Sequence, residues 1–252
     1  MKSIATRELC AWLDTKLNAT SFSDYCPNGL QVEGKSTISH IIAGVTASQA
    51  LIDVATERGA DALLVHHGWF WKGEDSRVLG TRKSRLASIL ASDINLIAYH
   101  LPLDAHPELG NNAQLARVLG LIPSNETAGP GNLIWLGHMP GARTLGEVAA
   151  SVEKALGRVP QVIGDAGMPA GRMAWCTGAA QSMLTHAIDA GAQIFITGEI
   201  SEPTVHLARE ANVGFISAGH HATERYGVQA LGAAIQDTFG IRVDFVDIDN
   251  PV

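Results

Sequence analysis

The chain has 252 residues, 46% hydrophobic and 17% charged, a soluble globular composition far from disordered or collagen-like extremes, and it is long enough for one to two domains that fold without disulfides or a structural metal. A formal net charge of −7 excludes the basic excess of general nucleic-acid binders, so direct nucleic-acid binding is not expected. The three cysteines, Cys10, Cys26 and Cys176, are far apart and form no Cys-x-x-Cys pair, which excludes a disulfide framework or thiolate zinc site and points to a reducing compartment.

No apolar signal-type segment follows Met1-Lys2-Ser3-Ile4, and no run approaches the ~18 apolar residues of a membrane span. A cytoplasmic protein without a membrane partner is expected. Leu9, Trp12, Leu13 and Leu17 recur at helical spacing and predict an amphipathic helix over 6–17. The stretch from Asp24 to Val32 contains Pro27-Asn28-Gly29 and reads as a turn, with Asn28 and Gln31 as candidate pocket-rim residues. An apolar strand over 38–45 leads to Thr46-Ala47-Ser48, which can cap a helix over 49–58 that ends at Gly59. The next apolar run, Ala62-Leu63-Leu64-Val65, completes a βαβ unit, so the sheet is expected to be partly parallel.

That run stops at His66-His67-Gly68, followed by the aromatic loop Trp69-Phe70-Trp71. Neighbouring side chains in extended backbone point to opposite sides, so the two imidazoles should diverge and serve two metal ions more readily than one. Arg77, Arg82, Lys83 and Arg85 cluster within nine residues and read as a solvated helix face, with phosphate contact as the alternative. A helix over 82–91 and a strand over 94–99 lead into His100-Leu101-Pro102-Leu103-Asp104, and a helix over 111–119 follows. The Pro, Gly, Ser and Asn content of 123–131 suggests a boundary between lobes 1–125 and 126–252.

In the second lobe, strands are predicted over 133–138, 161–163, 173–176, 193–197, 213–217 and 243–246. Helices are predicted over 145–156, 181–190, up to about 211, and up to 239. Thr177-Gly178 and Thr197-Gly198-Glu199 read as ordinary strand-to-helix turns, with anion binding by their amides as the alternative and Glu199 and Glu202 as candidate pocket acids. The expected fold class is α/β, two lobes of mixed, partly parallel sheet flanked by helices, with a metal site in the cleft between them.

His220 and Glu224 are four apart at a predicted helix start and share one face. With His66, His67 and Asp104 they make three imidazoles and two carboxylates, enough for two divalent transition-metal ions if a carboxylate bridges. This mixed nitrogen and oxygen set suits zinc, iron, manganese, nickel or cobalt. His100 and His221 stand beside these residues as candidates for orienting ligands or transferring protons. His40, His138, His186 and His206 read as structural or surface residues, and His106 as a rim residue. Dinucleotide, Walker-type, nucleophile-elbow and His-Glu-x-x-His motifs are absent from the sequence.

The stretches Ser23-Asp24-Tyr25-Cys26-Pro27-Asn28-Gly29-Leu30-Gln31-Val32, Val65-His66-His67-Gly68, His100-Leu101-Pro102-Leu103-Asp104, Thr197-Gly198-Glu199 and Gly219-His220-His221-Ala222-Thr223-Glu224 together resemble the GTP cyclohydrolase I type 2 homologues, also called NIF-three-like proteins, in their short bacterial form. The resemblance runs over essentially the whole chain. It implies a two-lobed α/β protein with a dinuclear centre held by His66, His67, Asp104, His220 and Glu224, and a ring-shaped homohexamer. His221 departs from the family, many of whose members carry an aromatic residue there. The resemblance also implies a metal-dependent hydrolase acting on a nucleotide or similar small polar substrate, in the extreme a ring-opening attack on GTP. The competing reading is a metal-binding scaffold, or a metal-handling or interaction protein, without turnover.

Overall fold

The computed structural model describes residues 2–252. In chain order the first elements are β1 (Ile4–Ala5), α1 (Thr6–Lys16), β2 (Gly29–Val32), β3 (Thr37–Ile38), β4 (His40–Thr46), α2 (Gln49–Glu57), β5 (Ala62–His67), α3 (Gly80–Ala91), β6 (Asn95–Ala98) and α4 (Leu101–Ala105). They are followed by α5 (Asn111–Leu119), β7 (Ile122–Ala128), β8 (Ile134–His138), α6 (Leu145–Leu156), β9 (Gln161–Ile163), β10 (Met173–Trp175) and α7 (Leu184–Asp189). The last are β11 (Ile194–Thr197), α8 (Glu202–Glu210), β12 (Gly214–Ser217), α9 (His220–Phe239) and β13 (Arg242–Phe245). Among the described residues, no helix is long and apolar enough to cross a membrane.

The chain divides into two compact units. Unit 1 comprises the residues up to Gly110 together with Gly227–Asp249, and unit 2 comprises Asn111–Tyr226 with Asn250–Val252. This differs from the expected division near residue 125. The Pro- and Asn-rich stretch that looked like a linker is edge strand β7, paired antiparallel with β8. The C-terminal segment also returns to unit 1, where Val228, Leu231 and Ile235 join the core formed by Leu9, Leu13, Ile41 and Leu64.

Unit 1 is built on a five-stranded sheet in the order β13-β4-β5-β6-β2. Its first four strands are parallel and β2 closes the edge antiparallel to β6. Strands β4, β5 and β6 are apolar on both faces and are covered on both, as parallel strands require. The connecting helix α2 starts at Ser48, whose hydroxyl accepts a hydrogen bond from the Leu51 amide at 3.3 Å, the expected cap. Strand β2 was not legible in the sequence because Pro27-Asn28-Gly29 masks its start and its pairing partner lies more than sixty residues away.

Unit 2 has a six-stranded mixed sheet in the order β7-β8-β10-β11-β12-β9, parallel only through β10, β11 and β12. Helix α6 is capped by Thr144, which accepts from the Glu147 amide at 3.3 Å, and ends at left-handed Gly157.

Asp61 ties together the amino-terminal side of the unit 1 sheet. It accepts hydrogen bonds from Lys35 Nζ, the Ser39 amide and hydroxyl, and the His40 amide at 2.7 to 3.1 Å. Burial alone would raise its carboxyl, but the bonds from Lys35, Ser39 and His40 outweigh it and hold the group down to about 2. A folded value below the unfolded one contributes stability that is present above about pH 4 and lost as pH falls toward 2. Asp61→Asn is therefore expected to lower the denaturant midpoint at neutral pH, with the gap to wild type closing as pH drops below about 4. A gap that stays constant on acidification would contradict this.

Candidate metal centre

The parallel register of β5 and β6, with Val65 opposite Ala98, brings the ends of both strands side by side in unit 1. His66 is fully buried, and its Nδ1 lies 3.0 Å from the Tyr99 carbonyl oxygen. A carbonyl only accepts, so Nδ1 carries the proton and Nε2 presents its lone pair. That Nε2 lies 3.5 Å from Asp104 Oδ1. Asp104 is set by α4, whose Leu103 and Asp104 amides both bond to the His100 carbonyl.

The strand continues through the histidines, with His67 paired opposite Thr46, whereas the sequence pattern predicted that it would stop at Val65. The two rings nevertheless do not diverge. Their centroids are 4.5 Å apart, and those of His66 and His100 are 5.1 Å apart. His66, His67 and His100 each offer a ring nitrogen, all within 4.8 Å of one another. His67 Nδ1 also lies 3.2 Å from Thr46 Oγ1.

His100 is held by the segment read from sequence as a turn. Its amide donates to Asn28 Oδ1 at 2.7 Å, and its Nδ1 lies 2.7 Å from Asp24 Oδ1. The other Asp24 oxygen accepts from the Leu101 amide and from Asn28 Nδ2, both at 2.9 Å. Burial pushes the Asp24 carboxyl up, but hydrogen bonds from His100 and Asn28, the His100 charge and the Leu101 amide outweigh it and hold it down to about 2. Sequence reasoning did not single out Asp24. Its only signal was an acid and an amide four residues apart around a turn. Neighbouring Cys26 is pushed up to about 12 by burial and the Asp24 charge, and its sulfur, Asp24 and His100 offer donor atoms within 4.8 Å of one another, a grouping the sequence reading did not expect.

In unit 2, His220 opens α9 and is bracketed by two carboxylates. Its Nδ1 is 2.7 Å from Glu199 Oε1 and its Nε2 3.0 Å from Glu224 Oε2. Burial pulls His220 down, but Glu224 and then Glu199 outweigh it and raise it to about 9. The cluster therefore favours positive charge, as two acids converging on one imidazole must. His221 follows on the same turn, and its amide donates to the Val252 carbonyl at 2.9 Å.

The strand ends of unit 2 interlock beneath these residues. The Gly198 amide donates to the Gly178 carbonyl and the Gly178 amide to Thr223 Oγ1, so these amides serve the fold rather than an anion. A Cβ at Gly178 would lie 2.1 Å from Glu224 Oε1, and one at Gly198 2.6 Å from the His220 Cα. Elsewhere, buried His40 pairs with Asp244 at 2.9 Å, exposed His206 with Glu202 at 2.9 Å, and His106 Nδ1 accepts from the Glu108 and Leu109 amides. All three have structural employment.

The fold and these donor sets define an α/β protein with histidine and carboxylate clusters suited to a divalent metal. The match to the family model of Duf34/NIF3 (NGG1p interacting factor 3) extends over residues 4–251, and the chain belongs to this family. It is 51% identical to the GTP cyclohydrolase 1 type 2 homolog of Pseudomonas aeruginosa over 99% of both chains, and 50% identical to that of Escherichia coli K12 over 97% of this chain and 98% of the relative. Among solved structures, protein ybgI, described as of unknown function, superimposes with a TM-score of 0.95 at 49% identity over 99% of this chain and all of that one. A Thermus thermophilus protein follows at 0.86 and 35%, over 99% and 100%.

Gly178 gives a direct test of the unit 2 cluster. Gly178→Ala puts a methyl against the Glu224 carboxylate at a backbone of φ +71°, and metal affinity is expected to fall by about ten- to a hundredfold, the usual effect of disturbing a ligand's support. Competition against a chromogenic chelator measures it. Unchanged affinity would mean that Glu224 and His220 do not hold the metal.

Proposed function

We propose that the protein is a dinuclear metal-dependent hydrolase acting on a nucleotide or similar small polar substrate, with His66, His67, Asp104, His220 and Glu224 as ligands of one centre. The observation that carries this reading is the convergence of three imidazoles, with ring nitrogens within 4.8 Å of one another, at adjacent parallel strand ends. Rings this close repel when protonated, so their mutual approach favours neutral imidazoles, with His66 and His67 available as ligands and His100 beside them to take a proton. His66 is held in the tautomer a ligand needs. Glu199 and Glu224, which flank His220, add the negative charge that the imidazoles lack. This donor set fits two divalent ions of zinc, iron, manganese, nickel or cobalt.

When bound, such ions would supply Lewis acidity, lowering the pKa of water and polarising a carbonyl or phosphoryl oxygen. The chain itself supplies proton transfer. Ionised Asp24 accepts from His100 Nδ1–H, which leaves Nε2 as the proton-accepting atom and fixes the direction in which it points. His221 is the second candidate proton carrier. The name of the curated relatives, GTP cyclohydrolase 1 type 2 homolog, extends the reading to hydrolytic opening of the five-membered purine ring of GTP. A cytoplasmic, ring-shaped homohexamer is part of the same proposal, and light scattering should give six times the chain mass.

The test pairs metal analysis with a nucleotide hydrolysis screen. Two transition-metal ions per chain and turnover of GTP or a related compound are expected. His66→Ala and Glu224→Ala should each reduce both metal content and turnover, the latter by at least about a thousandfold, while circular dichroism remains that of a folded protein. Unchanged turnover in Glu224→Ala would contradict the proposal. Two ions per chain with no turnover across the screen would favour the metal-handling reading.

A further inference from the structure

A cavity of about 440 Å³ lies within unit 1, between the loop after β5 and helix α3, and has His67 in its wall. This is the size of a small-molecule site. Trp71 lines it beside His67, with ring centroids 6.0 Å apart, and stands edge-on to His100 at 5.0 Å. The wall contributed by α3 carries Arg82 and Arg85.

The charges in this cavity are not equivalent. Arg77 is occupied by Asp75, with Nε and Nη2 at 2.8 and 2.5 Å from Oδ2, and Glu74 accepts from the Trp71 amide at 3.3 Å. Arg82 donates to the Asp75 carbonyl and lies over the Phe70 ring at 5.3 Å from its centroid. Phe70 has φ +65°, a left-handed conformation unusual for an aromatic residue. Its neighbours keep it there: Trp69 donates through its amide to Gln31 Oε1 at 2.6 Å and through Nε1 to the Ala47 carbonyl at 2.9 Å, and the Lys72 amide donates to the Tyr25 carbonyl at 2.6 Å. The strained turn thus places an aromatic face under the Arg82 guanidinium.

Arg85 is half-buried on the cavity wall, and among the described residues its guanidinium makes no hydrogen bond or ion pair. A guanidinium is always charged and presents five donors in a fixed fork that matches phosphate oxygens. Lys83, in the same basic run, is exposed and does not line the cavity.

We propose that this cavity is the subsite for the phosphate chain of a ring-bearing phosphorylated substrate, with Arg85 and Arg82 on the phosphate oxygens and Trp71 against the planar ring next to His67. The assignment rests on the hydrolase reading and narrows its substrate to nucleotide-type phosphate esters.

Equilibrium binding of GTP, inorganic triphosphate and guanosine to the purified full chain tests it, with and without a chelator because a bound cation would itself hold phosphate. Arg85→Ala should weaken GTP and triphosphate by about tenfold or more, the loss of one charge-assisted contact, and leave guanosine unaffected. Arg85→Lys should lose part of that affinity, Lys83→Ala should match wild type, and Trp71→Ala should weaken guanosine. Equal triphosphate binding by wild type and Arg85→Ala overturns the assignment, as does a wild-type chain that binds no triphosphate. Failure of the hydrolase reading shows separately, as an absence of GTP turnover by the same wild-type samples loaded with transition metal.

Discussion

The bond from His66 Nδ1 to the Tyr99 carbonyl, 3.0 Å long and fully buried, is the constraint on which the site in unit 1 depends. It exists because β5 and β6 run parallel and in register, so the residue after Val65 on one strand meets the residue after Ala98 on the other. Parallel strands need both faces covered, and the long apolar runs of β4, β5 and β6 provide what the covering helices pack against. Hydrophobic burial therefore decides where two polar rings finish. The chemistry sits at the carboxyl ends of the strands, as expected for open α/β sheets.

Around that anchor, each chemically active side chain is held by a neighbouring group. Asp24 and Asn28 fix His100, Thr46 contacts His67, and α4 directs Asp104 toward His66. In unit 2 the equivalent task falls to glycines. The backbone of Gly178 leaves the space that the Glu224 carboxylate fills, and Gly198 allows the start of α9 to approach. A side chain at either position would compete with a candidate ligand for volume. Supporting residues of this kind, rather than the donors alone, set how tightly a cation is held.

Most of the regular structure was legible in the sequence because its signals are local. The period-3.6 stripe of α1, the Ser48 cap and the Gly59 that bound α2, and the buried runs of β4, β5 and β6 each lie within a few residues. What escaped depends on partners distant in the chain. Strand β2 is defined by β6, β7 by β8, and the membership of β13 in the first sheet by β4. The candidate site divides in the same way. Donor types at strand ends were visible as His66-His67 and His220-x-x-x-Glu224. The role of Asp24 was not, because an acid before a turn is commonplace until His100, seventy-six residues later, is placed against it. The proximity of the His66 and His67 rings also ran against simple strand alternation. Alternation describes the direction in which each side chain leaves the backbone, and the rings beyond Cβ still have freedom to tilt toward each other.

Anomalous diffraction from crystals grown with a transition metal, collected on either side of its absorption edge, tests the central claim most directly. The account predicts two peaks per chain, bonded to the ring nitrogens of His66, His67 and His220 and to carboxylate oxygens of Asp104 and Glu224. Peaks at unrelated surface histidines, or none at these five residues in metal-saturated crystals, would contradict it.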